Sequence, residues 1–269
     1  MLIGIKELWA YRELIYTLVM RDLKVRYKNS ILGIMWSWLS PLLMMLVFTL
    51  IFGFLWSYQD LDNTHILFLS ALLPWNFFVG AVMGGMTSII GGGHLLKKVY
   101  FPREVLPISV ALANLVNFLM AMPVFFILMW LSGVNITPWV LLLPIPIFIQ
   151  MLFIIGIALI LATLEVFFRD THMIMDVAIQ AWFFLTPIMY PRDVLPQQVT
   201  VWGRTIDPRA WLFWLNPMAS IINTYQDILY YGTLSAPEFI FRTTVTATVV
   251  LIVGYIFFRK FSGRFGELV

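Results

Sequence analysis

Long apolar runs that carry few charges are the feature that most constrains this chain. Of its 269 residues, 61% are hydrophobic and 12% are charged. A helix needs about 20 mostly apolar residues to cross a bilayer core, whereas about a quarter of a soluble domain's residues are charged. We therefore predict an all-α, polytopic membrane protein with no sizeable soluble domain. The six predicted spans are residues 31–56, 66–90, 105–131, 139–168, 173–190 and 239–258.

Lysine and arginine are distributed unevenly between the two sides that these spans would create. With the N-terminus inside, four of the 17 basic residues fall outside, namely Arg192, Arg204, Arg209 and Arg242. Cytoplasmic loops of membrane proteins carry the excess of lysine and arginine. We therefore expect both termini in the cytoplasm. No cleavable signal peptide is expected, because residues 1–30 mix charged and apolar side chains.

Residues 1–30 are predicted to form an amphipathic helix that lies in the cytoplasmic surface of the membrane. At helical spacing, charged and polar side chains gather on one narrow face, and apolar side chains spread over the other. Arg12, Asp22 and Arg26 fall inside the apolar arc. Either the arginines extend to water and Asp22 pairs with one of them, or they face a lipid phosphate or a charged partner. Both explanations stay open from the sequence.

Two polar regions interrupt the predicted spans. Residues 91–104 form a basic and aromatic cytoplasmic loop. It is not a nucleotide-binding loop, because Leu96 precedes Lys97 where the Walker motif needs Gly-Lys-Ser/Thr. Residues 191–232 lie outside and contain four prolines and three tryptophans. Their apolar runs are too short to cross, so we predict short re-entrant helices at the outer leaflet, before the last span.

Residues suited to catalysis are scarce in this sequence. The chain has no cysteine, and its three histidines lie far apart. We therefore predict no catalytic residue, no metal site, no cofactor bound by this chain and no nucleic-acid partner. Aromatic residues are abundant instead, with 23 Phe, 11 Trp and 10 Tyr. Because aromatic faces stack on sugar rings, some of these residues suit a path for a glycan.

Short motifs occur in a fixed order along nearly the whole chain. They are residues 21–33 (RDLKVRYKNSILG) with Trp36 and residues 40–43 (SPLL), then residues 101–107 (FPREVLP), 167–170 (FFRD), 186–190 (TPIMY) and 215–218 (LNPM). In type and order they resemble the landmarks of the ABC-2 type polysaccharide and polyol-phosphate export permeases. That family includes the O-antigen, capsule and wall teichoic acid permeases.

The resemblance implies an architecture and a cargo. It implies six membrane helices per subunit, a homodimer, and two copies of a separate cytoplasmic ABC ATPase that binds ATP and Mg²⁺. The implied cargo is a polysaccharide or polyol-phosphate polymer linked to undecaprenyl pyrophosphate. It moves from the cytoplasmic to the outer side of a bacterial inner membrane, in which we therefore expect the chain to lie. None of the motifs identifies the polymer.

Three groups of residues are then candidates for function. Arg12, Arg26 and Lys28 are candidates to receive the lipid pyrophosphate and to form a gate, because a planar guanidinium matches phosphate. The expected ATPase-coupling residues are Arg21, Lys97, Lys98, Tyr100, Arg103 and Glu104. The candidate aromatics of a glycan channel are Trp36, Trp75, Phe78 and Tyr190.

Two alternative functions stay open. An integral-membrane glycosyltransferase or lipid-modifying enzyme of envelope assembly would need buried acidic residues and large polar loops, and the sequence shows neither. An ABC-2 exporter of a drug or free lipid would lack the outer interface helices. Only tryptophan placement and proline breaks indicate those helices here.

Overall fold

The computed structural model describes residues 8–28, 32–55, 63–190, 199–201 and 204–268, and this part of the chain is mostly helical. Its first elements are α1 (Arg12–Tyr27), a 3₁₀ turn (Gly33–Met35), α2 (Trp36–Leu55), α3 (Thr64–Gly91), α4 (Gly93–Leu96) and α5 (Val105–Leu131). A second 3₁₀ turn (Pro138–Leu142), α6 (Pro144–Phe167) and α7 (Thr171–Phe184) follow. The last elements are β1 (Val199–Val201), β2 (Arg204–Ile206), α8 (Pro208–Leu215), α9 (Pro217–Gln226), a π-helical turn (Asp227–Tyr231), α10 (Pro237–Ser262) and α11 (Phe265–Leu268).

Four helical segments within the described ranges are long and apolar enough to cross a bilayer. They are α3, α5, the segment Pro138–Phe167 and α10. Each coincides, within a few residues, with one predicted span, so the prediction of a helical multi-pass protein is confirmed. Helices suit this environment because their backbone groups are hydrogen-bonded within the segment, away from water.

The other two predicted spans, residues 31–56 and 173–190, have shorter or less complete counterparts. α2 covers 20 residues of the first, whose end residues 31 and 56 lie outside the described ranges. α7 covers only 14 residues and ends before Pro187. At about 1.5 Å per residue it extends about 21 Å, less than a bilayer core of about 30 Å. The count of six spans therefore stays a prediction.

The predicted N-terminal surface helix corresponds to α1. Residues 1–7, 29 and 30 of that prediction lie outside the described part of the chain. α1 packs on α5, with Leu18 and Val19 buried, while Trp9 and Tyr16 nearby are exposed. A helix is present, and its place in the membrane surface stays a prediction.

Helix α3 forms the centre of the bundle. It contacts α2, α5, α6, α7 and α9, and most of its length is enclosed by them. Gln150 of α6 is fully buried and donates from Nε2 to the carbonyl of Pro74 in α3 at 2.7 Å. Because an unpaired amide is costly to bury, this bond fixes α6 against α3.

Helix α10 packs along α6 at a contact between glycines. A Cβ atom on Gly254 would overlap the backbone of Gly156, and one on Gly156 would lie 2.7 Å from the carbonyl oxygen of Val250. Small residues let the backbones of membrane helices approach closely. The two helices therefore touch backbone to backbone at this level, although most of α10 otherwise faces away from the protein.

The predicted re-entrant region, residues 191–232, contains a β-hairpin that the sequence did not predict, followed by two helices. β1 pairs antiparallel with β2, with Val199 opposite Ile206. Residues 191–198, 202 and 203 of this region lie outside the described ranges. α8 exposes Trp211 and Trp214, whereas α9 is buried along its length. Insertion of these helices into the outer leaflet stays a prediction.

Candidate functional site

A polar cavity opens between α1, α2, α3 and α5. Its volume is about 390 Å³, within the range of about 300–1,000 Å³ typical of small-molecule sites. The polar lining residues are Arg26, Ser40, Asn76, Asn114 and Asn117. The apolar lining residues are Trp36, Met44, Leu73, Phe77, Phe118 and Ala121. Hydrogen-bonding groups and aromatic surface thus face the same space.

The three asparagines lie near the middle of their helices. Asn114 and Asn117 are about 14 and 18 Å from the start of α5, at about 1.5 Å per residue. They are three residues apart, so they share one helix face. Asn76 is about 18 Å from the start of α3. Polar side chains at this depth of a bilayer are expensive, and they mark functional sites by default.

Asn114 is hydrogen-bonded to Arg26, which lines this cavity. Its Nδ2 donates to the carbonyl of Val110 at 2.9 Å, and its Oδ1 accepts from Nη1 of Arg26 at 3.2 Å. A Cβ on Gly80 would lie 2.7 Å from this same Oδ1, so the glycine makes room for the asparagine. Arg26 lines the cavity beside Asn114, so its guanidinium lies at the wall of this space.

The cavity brings together two residues that the sequence had placed in separate groups. Arg26 was a candidate for phosphate, and Trp36, which is 45% exposed, a candidate for the glycan channel. Trp38 of α2 donates a hydrogen bond from Nε1 to the carbonyl of Met120 in α5 at 2.7 Å, and this bond connects the two helices. The asparagines were missed, although three amides in the middle of two predicted spans were a signal that could have identified them.

The remaining N-terminal candidates lie outside this cavity. Arg12 is exposed, with its guanidinium 5.8 Å from the ring of Trp9, and Lys28 is also exposed. Asp22 pairs with its neighbour Arg21 at 3.1 Å. The partner of Asp22 is therefore Arg21, and not Arg12 or Arg26 of the apolar arc as the first explanation proposed.

The other candidate aromatics occupy different places. Trp75 and Phe78 are 4% and 0% exposed and belong to the core between α3, α6 and α7. Phe78 lies 5.2 Å from Trp182 and 5.9 Å from Phe153, measured between ring centroids. Both residues are enclosed, so neither can touch a polymer without repacking of the core. Tyr190 is half-buried beyond α7.

The structure divides the expected coupling residues of the loop at 91–104 into two sets. Lys97 and Lys98 are exposed without an ion pair to any described residue, and Tyr100 is 95% exposed. Arg103 and Glu104 instead turn toward the C-terminal part of the chain. The Arg103 guanidinium lies 5.9 Å from the ring of Phe265, and buried Glu104 pairs with Arg259 at 3.2 Å.

Comparison with known proteins assigns the family. Residues 13–230 match the family model described as ABC-2 type transporter. The chain belongs to the ABC-2 type transporter family. With four apolar helices of sufficient length among its described residues, this ABC-2 transporter chain is a multi-pass membrane protein.

Relatives of the ABC-2 transporter chain match it over nearly its whole length. It is 35% identical over 265 residues to the O-antigen export system permease protein RfbA of Myxococcus xanthus, covering 98% of both chains. It is 32% identical over 260 residues to a protein of the same name from Klebsiella pneumoniae, covering 96% and 95%. A more distant relative is the polysialic acid transport protein KpsM of Escherichia coli, at 23% over 252 residues and 90% and 91% coverage. These relatives are named as transport components.

Proposed function

We propose that this chain is the permease of an ATP-driven exporter that moves a lipid-linked polysaccharide from the cytoplasmic to the outer side of a bacterial inner membrane. The observation that carries the proposal is the cavity at mid-helix depth, which combines amides, an indole and a guanidinium. The names of the relatives, which concern O-antigen and polysialic acid, support a polysaccharide as cargo.

The lining chemistry of the cavity suits a glycan on a phosphate carrier. Asparagine amides both donate and accept hydrogen bonds, as sugar hydroxyl groups require. Trp36 offers an aromatic face for a sugar ring, and Arg26 offers several N–H donors in the fork geometry that matches phosphate. Undecaprenyl pyrophosphate is the carrier that we propose. We place Trp75 and Phe78 in the supporting core rather than on the path.

A second copy of the chain would complete the path. Along α2, next to the cavity, large apolar side chains are exposed, including Met44, Val47 and Leu50. A homodimer that joins two such faces would enclose the cavity and leave less apolar surface outside the protein. In the proposed orientation, both termini of each copy are cytoplasmic.

A separate ATPase would supply the energy. The exposed residues Lys97, Lys98 and Tyr100 form the docking surface that we propose for two cytoplasmic ABC ATPase subunits carrying ATP and Mg²⁺. A protruding aromatic side chain that follows two lysines suits a pocket with an acidic rim, because interface anchors are commonly aromatic and opposite charges attract.

Depletion of the chain in its native host tests this function. If export is its role, full-length undecaprenyl-linked polymer accumulates inside the cell while the surface polymer disappears. The chemistry of the trapped polymer then identifies the cargo. Accumulation of shortened or unmodified precursors would favour a membrane enzyme instead. Unchanged lipid-linked glycans would favour an exporter of a drug or free lipid.

Two cavity variants refine that test. Arg26→Gln and Asn76→Leu should each lower surface polymer by about 10-fold or more, as expected for the loss of about 1.4 kcal/mol of contact with the cargo. Asn76 is an exposed lining residue without a hydrogen bond to the described chain, so its replacement should leave stability unchanged. Asn135→Leu, at an exposed position outside the cavity, is the control. Normal export in both cavity variants would refute the role of this cavity.

A further inference from the structure

We propose that the ion pair between Glu104 and Arg259 is the link that ties the cytoplasmic loop to the last helix, so that the two move together when the ATPase acts. Glu104 and Arg259 are positioning residues in this proposal, and they do not contact the cargo. The inference rests on the proposed function, in which the exposed tip of the loop, Lys97–Tyr100, docks on the ATPase.

Glu104 connects two helices, α5 and α10. It immediately precedes α5, yet its side chain makes no capping bond to that helix. Its Oε1 lies 3.2 Å from Nε of Arg259, which is in the last turn of α10. A basic residue there also complements the negative end of the helix dipole. One residue is thus joined covalently to α5 and by charge to α10.

The burial of the pair is asymmetric. The Glu104 side chain is 7% exposed, whereas that of Arg259 is 43% exposed. A buried carboxylate that loses its cation is left with an uncompensated charge, which strongly favours keeping the pair intact. Glu104→Gln breaks the pair without leaving a buried charge, and Arg259→Gln breaks the same pair from its exposed side, so the two variants test the link in different ways.

A second contact holds the same two regions together. The Arg103 guanidinium lies 5.9 Å from the ring of Phe265, in the segment that follows α10. Phe265 is fully buried, and its ring centroid lies 5.2 Å from that of Phe258 and 6.3 Å from that of Phe167. The loop therefore sits on a packed aromatic base that includes the end of α10.

Displacement of the loop tip would consequently reach two helices. Tyr100, 95% exposed, is four residues before Glu104, so a force on the tip acts close to the ion pair. Through the chain, Glu104 leads into α5, which carries Asn114 and Asn117 of the cavity. Through Arg259 it leads to α10, and α10 touches α6 at Gly156. The cavity wall that α5 forms and the packed pair of α6 and α10 would then move together.

A distance measurement tests this link directly. Because the chain has no cysteine, spin labels can be attached to His94→Cys, an exposed loop position outside the proposed docking tip, and to Lys260→Cys at the end of α10. The labelled permease is reconstituted with its ATPase in nanodiscs and measured with and without ATP. We expect one narrow distance distribution in both states for the otherwise unchanged protein. In Glu104→Gln and Arg259→Gln, ATP should broaden or shift the distribution.

Export measured in parallel separates a link from a purely structural role. Glu104→Gln and Arg259→Gln should keep complex assembly and basal ATP hydrolysis but lower polymer export by about 10-fold, a typical coupling effect. Arg259→Lys keeps the positive charge and should restore both readouts. Arg264→Gln removes a nearby exposed arginine outside the pair and is the matched control.

Two results would overturn the proposal. The first is an unchanged distance distribution with normal export in Arg259→Gln, whether or not Glu104→Gln folds. The second is loss of ATPase binding in Glu104→Gln without any change in the distance, which would make Glu104 a docking residue. The distance readout needs only ATP and the ATPase, so it remains interpretable even if the cargo is not a polysaccharide.

Discussion

The region around Asn216 and the loop of residues 97–104 use their polar groups in opposite ways. Asn216 accepts from Trp182 Nε1 at 2.7 Å and donates to the Leu185 carbonyl and the Thr186 hydroxyl at 3.0 Å. It also caps α9 by accepting from the amide of Ala219. In the loop, Tyr100 and the lysines before it are exposed.

The basic residues of the two regions show the same difference. Arg242, near the Asn216 region, donates to the carbonyl of Phe213 at 2.9 Å and lies 4.5 Å from the ring of Trp214. Lys97 and Lys98 have no comparable contact within the described residues. The Asn216 region is thus stabilised by contacts within one chain, whereas the loop tip is the surface for which we proposed a binding partner.

The largest expected effect on stability comes from Asn216→Leu. The replacement leaves a buried indole N–H and a helix amide without their acceptor, and each unsatisfied group costs about 1–3 kcal/mol. We expect a destabilisation of about 3 kcal/mol in total, measured as a lower midpoint of thermal unfolding in detergent. Asn135→Leu, on the exposed surface, serves as the control. An unchanged midpoint would show that the Asn216 region is not stabilised by this residue.

A smaller effect is expected for Arg242→Met. This variant keeps an unbranched side chain but loses the bond to Phe213 and the stacking on Trp214, together about 2 kcal/mol. Hydrogen exchange should rise in α8 more than in α3. Glu238→Gln, which changes a charge at the exposed start of α10, should not alter this exchange. Equal exchange in α8 of the variant and the parent would contradict the proposed anchoring.

The smallest effect on stability is expected for Tyr100→Ala in the loop. Surface substitutions of this kind usually change stability by less than about 0.5 kcal/mol. Binding of the ATPase, measured by co-purification, should nevertheless fall by about 10-fold or more, as for an aromatic interface anchor. A matched replacement at Tyr16, an exposed aromatic on α1, should leave binding unchanged. If Tyr100→Ala lowers the unfolding midpoint instead, the contrast between the two regions fails.

The long spans could be predicted because their signal is local. α5 begins and ends where continuous apolar composition begins and ends, and no distant contact is needed to place it. α7 was harder, since its pattern continues to residue 190 while the helix stops at Phe184. The hairpin of β1 and β2 has only three residues in each strand, too few to give a clear alternation.

The site could be predicted only in part, because it depends on contacts between distant segments. Arg26 and Trp36 were selected by residue type, but their meeting with Asn114 requires α1 to pack on α5. Likewise, the sequence analysis placed Lys97 and Glu104 in one group of expected ATPase-coupling residues. Arg259 and Phe265, far along the chain, separate them into an exposed and a buried set.

The glycine contact between α6 and α10 has a consequence for lipids. Where two helix backbones touch at Gly156 and Gly254, no acyl chain can enter or leave between them. A lipid tail that accompanied the proposed cargo would therefore have to reach the bilayer along another side of the subunit.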